Sequence, residues 1–261
     1  MCLLVLAWRT HPAYRLVIAA NRDEYHERAA APLAAWPDMP GVVGGRDLQA
    51  SGTWLAFDLR RRCGVVTNFR EFGRRRRSAP SRGGLIPAWL SGNQSAAGYL
   101  RDLETDAPGY AGFNLLLADG DSLWYACNRA DQFARELPPG IYALSNEFLD
   151  TPWPKLVRVR NRFETLLAAA PPPKQPDLTH SLLAMLDDRQ TSAPESLPPS
   201  ALPDDWARKL SSPFVLDPVY GTRCSTVLTI SAEGTLAALE RRFDASGATS
   251  GETEYALNGP G

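Results

Sequence analysis

The chain has 261 residues and carries 28 Lys and Arg against 29 Asp and Glu, a formal net charge of −1, with 44% hydrophobic and 22% charged residues. That is ordinary usage for a folded chain and excludes disorder as a global description, while the length gives a core that needs no disulfide or metal. A balance so near zero argues against a dedicated nucleic-acid or anionic-membrane surface, which needs a net basic field, and leaves small molecules as the expected partners.

The apolar opening MCLLVLAW runs only to Arg9, with no basic residue ahead of it and no small-residue cleavage site, so it fails as a signal peptide. No other stretch approaches the roughly 18 uncharged apolar residues of a membrane span. A cytoplasmic protein with no membrane span is expected. Residues 2–8 (CLLVLAW) and 15–21 (RLVIAAN), separated by the turn cluster HPAY, read as a hairpin of two largely buried strands. GVVGGRD at 41–47 lacks GxGxxG spacing, a Walker lysine and a following helix, and reads as a turn. TWLAFDL (53–59) and CGVVTNF (63–69) form a second strand pair. The run RRRR at 74–77, with Arg82, lies among Ser, Pro and Gly and reads as solvated loop.

A short amphipathic helix follows at 84–90 and another at 94–104. FNLLLAD (113–119) and SLWYACN (122–128) are strands joined by the tight-turn pair Gly120-Asp121, and IYALSN (141–146) is one more. Residues 154–170 predict a helix, with Leu156, Val159, Phe163, Leu166 and Leu167 recurring at three and four and Pro154 fitting the first turn. LTHSLLAMLDD (178–188) is a further helix, and the proline clusters at 171–176 and 194–203 are surface loops. CSTVLTIS (224–231), a turn at Gly234 and TLAALERRF (235–243) close the chain as strands. Periodicity alone allows strand or helix for the last, and the hairpin context selects strand. Strands in antiparallel pairs with grouped helices give α+β, and with no repeat or linker evident a single domain over 1–261 is expected.

The cysteines at 2, 63, 127 and 224 contain no CxxC, and the histidines at 11, 26 and 180 are far from metal-ligand spacing, so no metal site is expected. Cys63, Cys127 and Cys224 lie in apolar runs, where a thiol behaves as a small buried hydrophobe. The serine pattern GxSxG is absent. Cys2 differs from the other thiols. Removal of the initiator methionine would expose a cysteine whose own α-amine has a reference pKa of about 7.7 to 8.0, close to the thiol's roughly 8.5. Nucleophile and base would then share one residue, which suits a chain so poor in histidine.

Asn21, Arg22, Asp23 and Glu24 end the apolar strand RLVIAA, the hairpin partner of the strand that starts at Cys2. The turn brings the end of the second strand back beside the start of the first, so a carboxylate of this group lies near the amino terminus, where it can hold an ammonium.

At these residues the chain resembles the NRDE family, also called the transport and Golgi organisation family. The likeness extends through GGRDLQASGTWLAF (44–57), VVTNFR (65–70), SRGGL (81–85), GFNLLLAD (112–119), LSNEFLDTPWPK (144–155) and YGTRCSTVL (220–228). The family is similar in fold to the N-terminal nucleophile hydrolases, which implies a four-layer αββα sandwich of two antiparallel sheets. Among those hydrolases the pattern is similar to the bile salt hydrolase and penicillin V acylase group. That resemblance implies Cys2 as nucleophile, Asp23 as the carboxylate beside the α-amine, Asn68 and Asn146 as oxyanion contributors, and Arg223 as the arginine near the thiolate. Asn21, Arg22 and Glu24 are expected in supporting or substrate-binding roles. One position departs from the pattern: that group has an arginine three residues before its aspartate, and here Ala20 stands there.

The expected function is therefore an amidohydrolase-like protein with an N-terminal cysteine nucleophile, acting without a cofactor on a linear C–N bond of a small-molecule acyl substrate outside peptides. The alternative, implied by what is known of the wider family, is a non-catalytic binder or carrier of an apolar ligand, haem or an acyl lipid. Axial haem ligation would then call on Cys2, His26 or another thiolate, imidazole or thioether. The sequence leaves substrate or ligand identity and oligomeric state open.

Overall fold

The computed structural model describes residues 2–71, 79–169, 177–197 and 202–259, with the backbone alone at Cys2 and Asp177. In the first part of the chain the elements are β1 (Cys2–His11), β2 (Tyr14–Tyr25), β3 (Ala30–Ala35), β4 (Val42–Asp47), β5 (Leu55–Asp58) and β6 (Arg62–Asn68). They continue as α1 (Leu85–Ser91), α2 (Ala96–Asp106), β7 (Phe113–Asp119), β8 (Leu123–Cys127), β9 (Ala134–Glu136) and β10 (Gly140–Leu144). The remainder is α3 (Pro154–Ala168), α4 (Asp177–Leu186), α5 (Asp204–Lys209), β11 (Tyr220–Ser231), β12 (Leu236–Phe243) and β13 (Thr249–Leu257). The strands make two antiparallel sheets, so the fold is α+β as expected. No helix among the described residues is long and apolar enough to cross a membrane.

By its internal contacts the chain divides into two units. The first comprises Met1–Glu27, Pro139–Ser145 and Leu149–Gly261, and the second Arg28–Pro138 and Asn146–Phe148. The first unit carries a six-stranded sheet in the order β10-β1-β2-β11-β12-β13. Alternation along its strands puts Leu3, Val5, Val17, Ala19, Val227 and Leu239 on one face, where they form one buried cluster with α3 and α4. Helix α3 begins at Pro154, whose fixed φ suits the first helical position, and buries Leu156, Val159, Phe163 and Leu167 at helical spacing. Phe163 is fully buried. Phe163→Ala is expected to cost about 3–5 kcal/mol of stability, read as a fall in the urea midpoint at constant slope.

Two details of this sheet matter for the site. The polar residues 21–24 were expected to end the strand that runs over 15–21, and they lie within β2, which runs on to Tyr25. The reason is pairing at long range: β11 matches Asn21 to Ser225, Arg22 to Cys224, Asp23 to Thr222 and Glu24 to Gly221. The second detail is that this register slips between Thr222 and Cys224, leaving Arg223 as the extra residue of a bulge.

The second unit carries a seven-stranded sheet in the order β3-β4-β5-β6-β7-β8-β9, a meander of neighbours in sequence. Ile86 and Trp89 of α1 and Leu100 of α2 pack with Val66, Phe113, Leu115 and Leu117 of the sheet. Residues 41–47, read above as a turn, contain strand β4 instead. The glycines there serve close packing: a Cβ at Gly44 would lie 2.7 Å from both Ala56 Cβ and Leu55 O, and one at Gly45 would lie 2.1 Å from the Trp54 ring. Gly120 does occupy its turn with φ +79°. The RRRR run and the 171–176 proline cluster lie outside the described residues, while Arg82 donates through Nη1 to Gly112 O at 2.9 Å.

Candidate active site

The first group of expected site residues is assembled by β1, β2 and β11. Strand β1 opens with Cys2 paired directly opposite Arg22, and β11 pairs Cys224 with the same arginine from the other side. Arg22 is only 6% exposed. On either side of it in sequence, Asn21 and Asp23 are fully enclosed, at 1% exposure each. Asn21 donates through Nδ2 to Leu186 O at 2.9 Å and Pro213 O at 3.0 Å, and its Oδ1 accepts from Ser225 Oγ at 2.6 Å. With these bonds Asn21 ties the end of α4 and the segment before β11 to the sheet, a bracing role.

Asp23 accepts a hydrogen bond from Thr222 Oγ1 at 2.7 Å, and Thr222 Oγ1 in turn accepts from Val215 N at 2.9 Å. Tyr220 OH donates to the Asp23 carbonyl at 3.2 Å. Burial pushes the Asp23 carboxyl above its usual value, against the positive charge at the start of the chain, Lys155, the Thr222 hydrogen bond and Arg22, which all pull it down. Desolvation outweighs these cations, so the Asp23 carboxyl holds its proton to a higher pH than a free aspartate does.

Lys155 was not among the expected residues. It sits in the first turn of α3, 4% exposed, with Nζ donating to Leu210 O at 2.7 Å. A charged residue on an amphipathic helix reads by default as solvent-facing. The signal that would have found it is its place directly before Leu156, the first buried leucine of the helix.

Arg223, in the bulge, turns Nη1 to the carbonyls of Tyr25 at 2.8 Å and His26 at 3.1 Å. Burial, and then the like charge of Arg22, lower its pKa from the ordinary arginine value. Glu24 accepts from the Tyr25 amide at 3.0 Å and is partly exposed. His26, the imidazole that haem ligation would need, has Nε2 at 3.0 Å from Asp217 O. A carbonyl only accepts, so Nε2 is the protonated nitrogen in that contact and is closed to iron while the contact holds.

The second group belongs to the second unit. Asn68 is the exposed last residue of β6, and its carbonyl accepts from Asn146 Nδ2 at 2.9 Å. The Arg70 amide donates to Asn146 O at 2.7 Å. The two asparagines are thus linked directly, and Asn146 is 5% exposed. Their support is Asn114, completely buried in β7. It donates through Nδ2 to Glu147 O at 2.9 Å and Thr67 Oγ1 at 3.3 Å, and accepts from Tyr125 OH at 2.8 Å. Asn114 escaped sequence reading, although a lone amide inside the apolar strand FNLLLAD was the available signal.

The other thiols match the expectation of small buried hydrophobes. Cys63, Cys127 and Cys224 are 2%, 0% and 4% exposed, and burial pushes the Cys63 thiol up to about 12. Native protein at pH 8 is expected to leave all three unmodified by iodoacetamide, with modification appearing in urea. Rapid native labelling at Cys63 would contradict this burial.

A family profile described as Transport and Golgi organisation 2 matches residues 1–245. The chain is similar to the Transport and Golgi organization protein 2 homolog of Bos taurus, 32% identical over 269 residues and covering 97% of each chain. It is also similar to the Transport and Golgi organization 2 homolog of Mus musculus, 30% identical over 260 residues with 92% of each chain covered. Among solved structures it is similar to the Caenorhabditis elegans N-acylethanolamine-hydrolyzing acid amidase ortholog, with a TM-score of 0.46, 11% identity, and coverage of 87% of this chain and 92% of that one.

Proposed function

The chain belongs to the Transport and Golgi organisation 2 family, and from that premise we propose that it is an amidohydrolase whose Cys2, exposed by removal of Met1, attacks a linear C–N bond outside peptides. One observation carries this reading. A buried carboxylate, Asp23, lies next to Arg22, the residue paired with Cys2 across the first hairpin. An aspartate enclosed in this way has a physical role to fill, because burying a carboxylate is costly unless a cation accompanies it.

The chemistry follows from that pairing. The α-amine of Cys2 accepts the thiol proton, and the thiolate attacks the acyl carbonyl to form a C–S bond and an oxyanion. Collapse breaks the C–N bond, and the ammonium returns its proton to the departing amine, leaving a thioester. Water, deprotonated by the same amine, adds to the thioester and releases the acid and the thiol. Asp23 holds the ammonium form. Asn68 and Asn146 are proposed as contributors to the oxyanion, where loss of one donor typically costs roughly 10²- to 10³-fold in rate.

Intact mass of the purified chain, followed by an N-acyl aminomethylcoumarin series of increasing acyl length, tests the reading. A chain lacking Met1 that hydrolyses part of the series supports it. A chain retaining Met1 has no cysteine amine and contradicts it. Saturable hemin binding, with no turnover across the series, would replace it with the carrier of an apolar ligand.

A further inference from the structure

Lys155 is a cation where the packing face of an amphipathic helix calls for an apolar residue. It lies one turn before Val159 and two before Phe163, on the stripe of α3 that packs against the six-stranded sheet, and it is 4% exposed. Lysine is almost never enclosed to this degree without an opposite charge, because taking an ammonium out of water is costly. The bond that its Nζ donates to Leu210 O at 2.7 Å satisfies one donor and neutralises nothing.

The sheet supplies the acid. Val17 and Ala19 of β2 face α3 and α4, and alternation carries Asn21 and Asp23 to the same side. Asn21 confirms that side by donating to Leu186 O at the end of α4. The segment after α5 ties both charges into this layer. Leu210 O accepts from Lys155, Pro213 O accepts from Asn21, and Val215 N donates to the Thr222 hydroxyl that itself donates to Asp23. Two other acids of the first unit are buried. Asp217 is held by Lys209 at 2.6 Å, while Glu240 follows the core residue Leu239 and so faces the other side, with Oε1 3.6 Å from Arg242 Nη1. Among the described residues, Asp23 is the buried acid that remains for Lys155. Burial is the largest influence on the Asp23 carboxyl and raises its pKa, and Lys155 is among the cations that lower it.

We propose that Lys155 is a positioning residue that acts through Asp23, its enclosed ammonium keeping the carboxylate anionic at pH values where burial alone would protonate it. The inference rests on the reading of Asp23 as the holder of the Cys2 ammonium and names the group on which that negative charge depends.

The other charges around Asp23 are placed differently. Arg22 and Glu24 flank it in β2 and alternate to the opposite face. From β11, Arg223 turns to the carbonyls of Tyr25 and His26, and Tyr220 OH donates to the Asp23 carbonyl. On α3, Arg158 donates to Asp188 Oδ2 at 2.7 Å, and on α4 and α5 His180, Asp204, Asp205 and Arg208 are exposed. The amino terminus is a further cation, present in every variant below.

The test is the pH titration of Asp23, followed by the carboxyl-carbon resonance of isotope-labelled aspartate and assigned by its loss in Asp23→Asn. Lys155→Met keeps an unbranched stem and removes the charge, and is expected to raise the midpoint by about one pH unit or more. Lys155→Arg keeps the charge and is expected to move it less. Lys209→Met removes a cation that already pairs with Asp217, and is expected to leave the Asp23 midpoint in place. On an acyl aminomethylcoumarin that the protein hydrolyses, the acid limb of kcat/KM in Lys155→Met is expected to climb with that midpoint.

A folded Lys155→Met variant with an unchanged Asp23 midpoint overturns the proposal and leaves Lys155 as the partner of Leu210 O alone. A midpoint that rises while the acid limb stays in place overturns the positioning role. Should Lys155→Met not fold, its combination with Asp23→Asn decides. A double variant that folds supports the proposal, since with both charges removed neither is left buried alone, and one that also fails to fold overturns it. The titration needs no substrate, so a raised midpoint together with full amide turnover in Cys2→Ala would retain Lys155 as the counter-charge of Asp23 and remove only the hydrolase reading.

Discussion

Replacement of Cys2 by alanine is expected to lower kcat on any hydrolysed N-acyl aminomethylcoumarin by about 10³-fold or more, because the whole covalent route passes through one sulfur. The α-amine survives in this variant, so what remains is the slow background of water attack aided by a base. Cys2→Ser keeps the amine and a weaker nucleophile, and its rate is expected between the two. Stability is expected to change little. Cys2 begins β1, and the buried cluster beneath that strand starts at Leu3 and continues through Val5 and Ala7. Equal melting temperatures with a lost rate would locate the effect in chemistry. A rate within a factor of two of wild type would remove Cys2 from the mechanism.

Asp23→Asn is expected to move stability and activity in opposite directions. In the unfolded chain an aspartate titrates near about 3.9, while in the folded chain burial raises the Asp23 value. Between those two values the folded state binds a proton that the unfolded state has released, so stability falls as pH rises through the window and stays lower above it. Asparagine has no proton to lose and still offers Oδ1 to Thr222 Oγ1, the hydrogen bond that Asp23 accepts at 2.7 Å. The variant is therefore expected to melt above wild type at pH 8, with the gap closing toward pH 4. Turnover is expected to fall by about 10²-fold or more, since a neutral amide cannot hold the ammonium that forms when the thiol gives up its proton. A variant less stable than wild type at pH 8 would mean that its cations hold Asp23 more strongly than burial opposes it.

The parts of this architecture that rest on local pattern were legible in the chain. The hairpin of β1 and β2, the pair β7 and β8 with its Gly120 turn, and α3 with its spacing of Leu156, Val159 and Phe163 all follow from apolar periodicity and turn chemistry. Besides Val42–Asp47, read as a turn, three strands escaped. Ala30–Ala35 is built of alanine and proline, Ala134–Glu136 is only three residues long, and Thr249–Leu257 buries none of its residues fully and lies at a sheet edge. In each, ladder pairing with a neighbour rather than a hydrophobic face sets the structure.

The site divides along the same line. The nearness of Cys2 to the end of β2 was reachable because a hairpin is local. The continuation of β2 through residues 22–25 was not, since it depends on β11 some two hundred residues later, and neither was the bulge that diverts Arg223. Asn114 and Lys155 were hidden for a related reason. A buried polar side chain is recognised by what accepts its hydrogen bonds, here the carbonyls of Glu147 and Leu210, and neither partner is adjacent in sequence.

The most direct test is mass analysis of the first peptide after a brief reaction with an acyl aminomethylcoumarin that the protein hydrolyses, quenched in acid during the steady state. The account predicts a peptide that begins at Cys2 and carries the acyl mass on that residue, absent in Cys2→Ala. A first peptide that still begins at Met1, or one that never gains the acyl group while free coumarin accumulates, would contradict it.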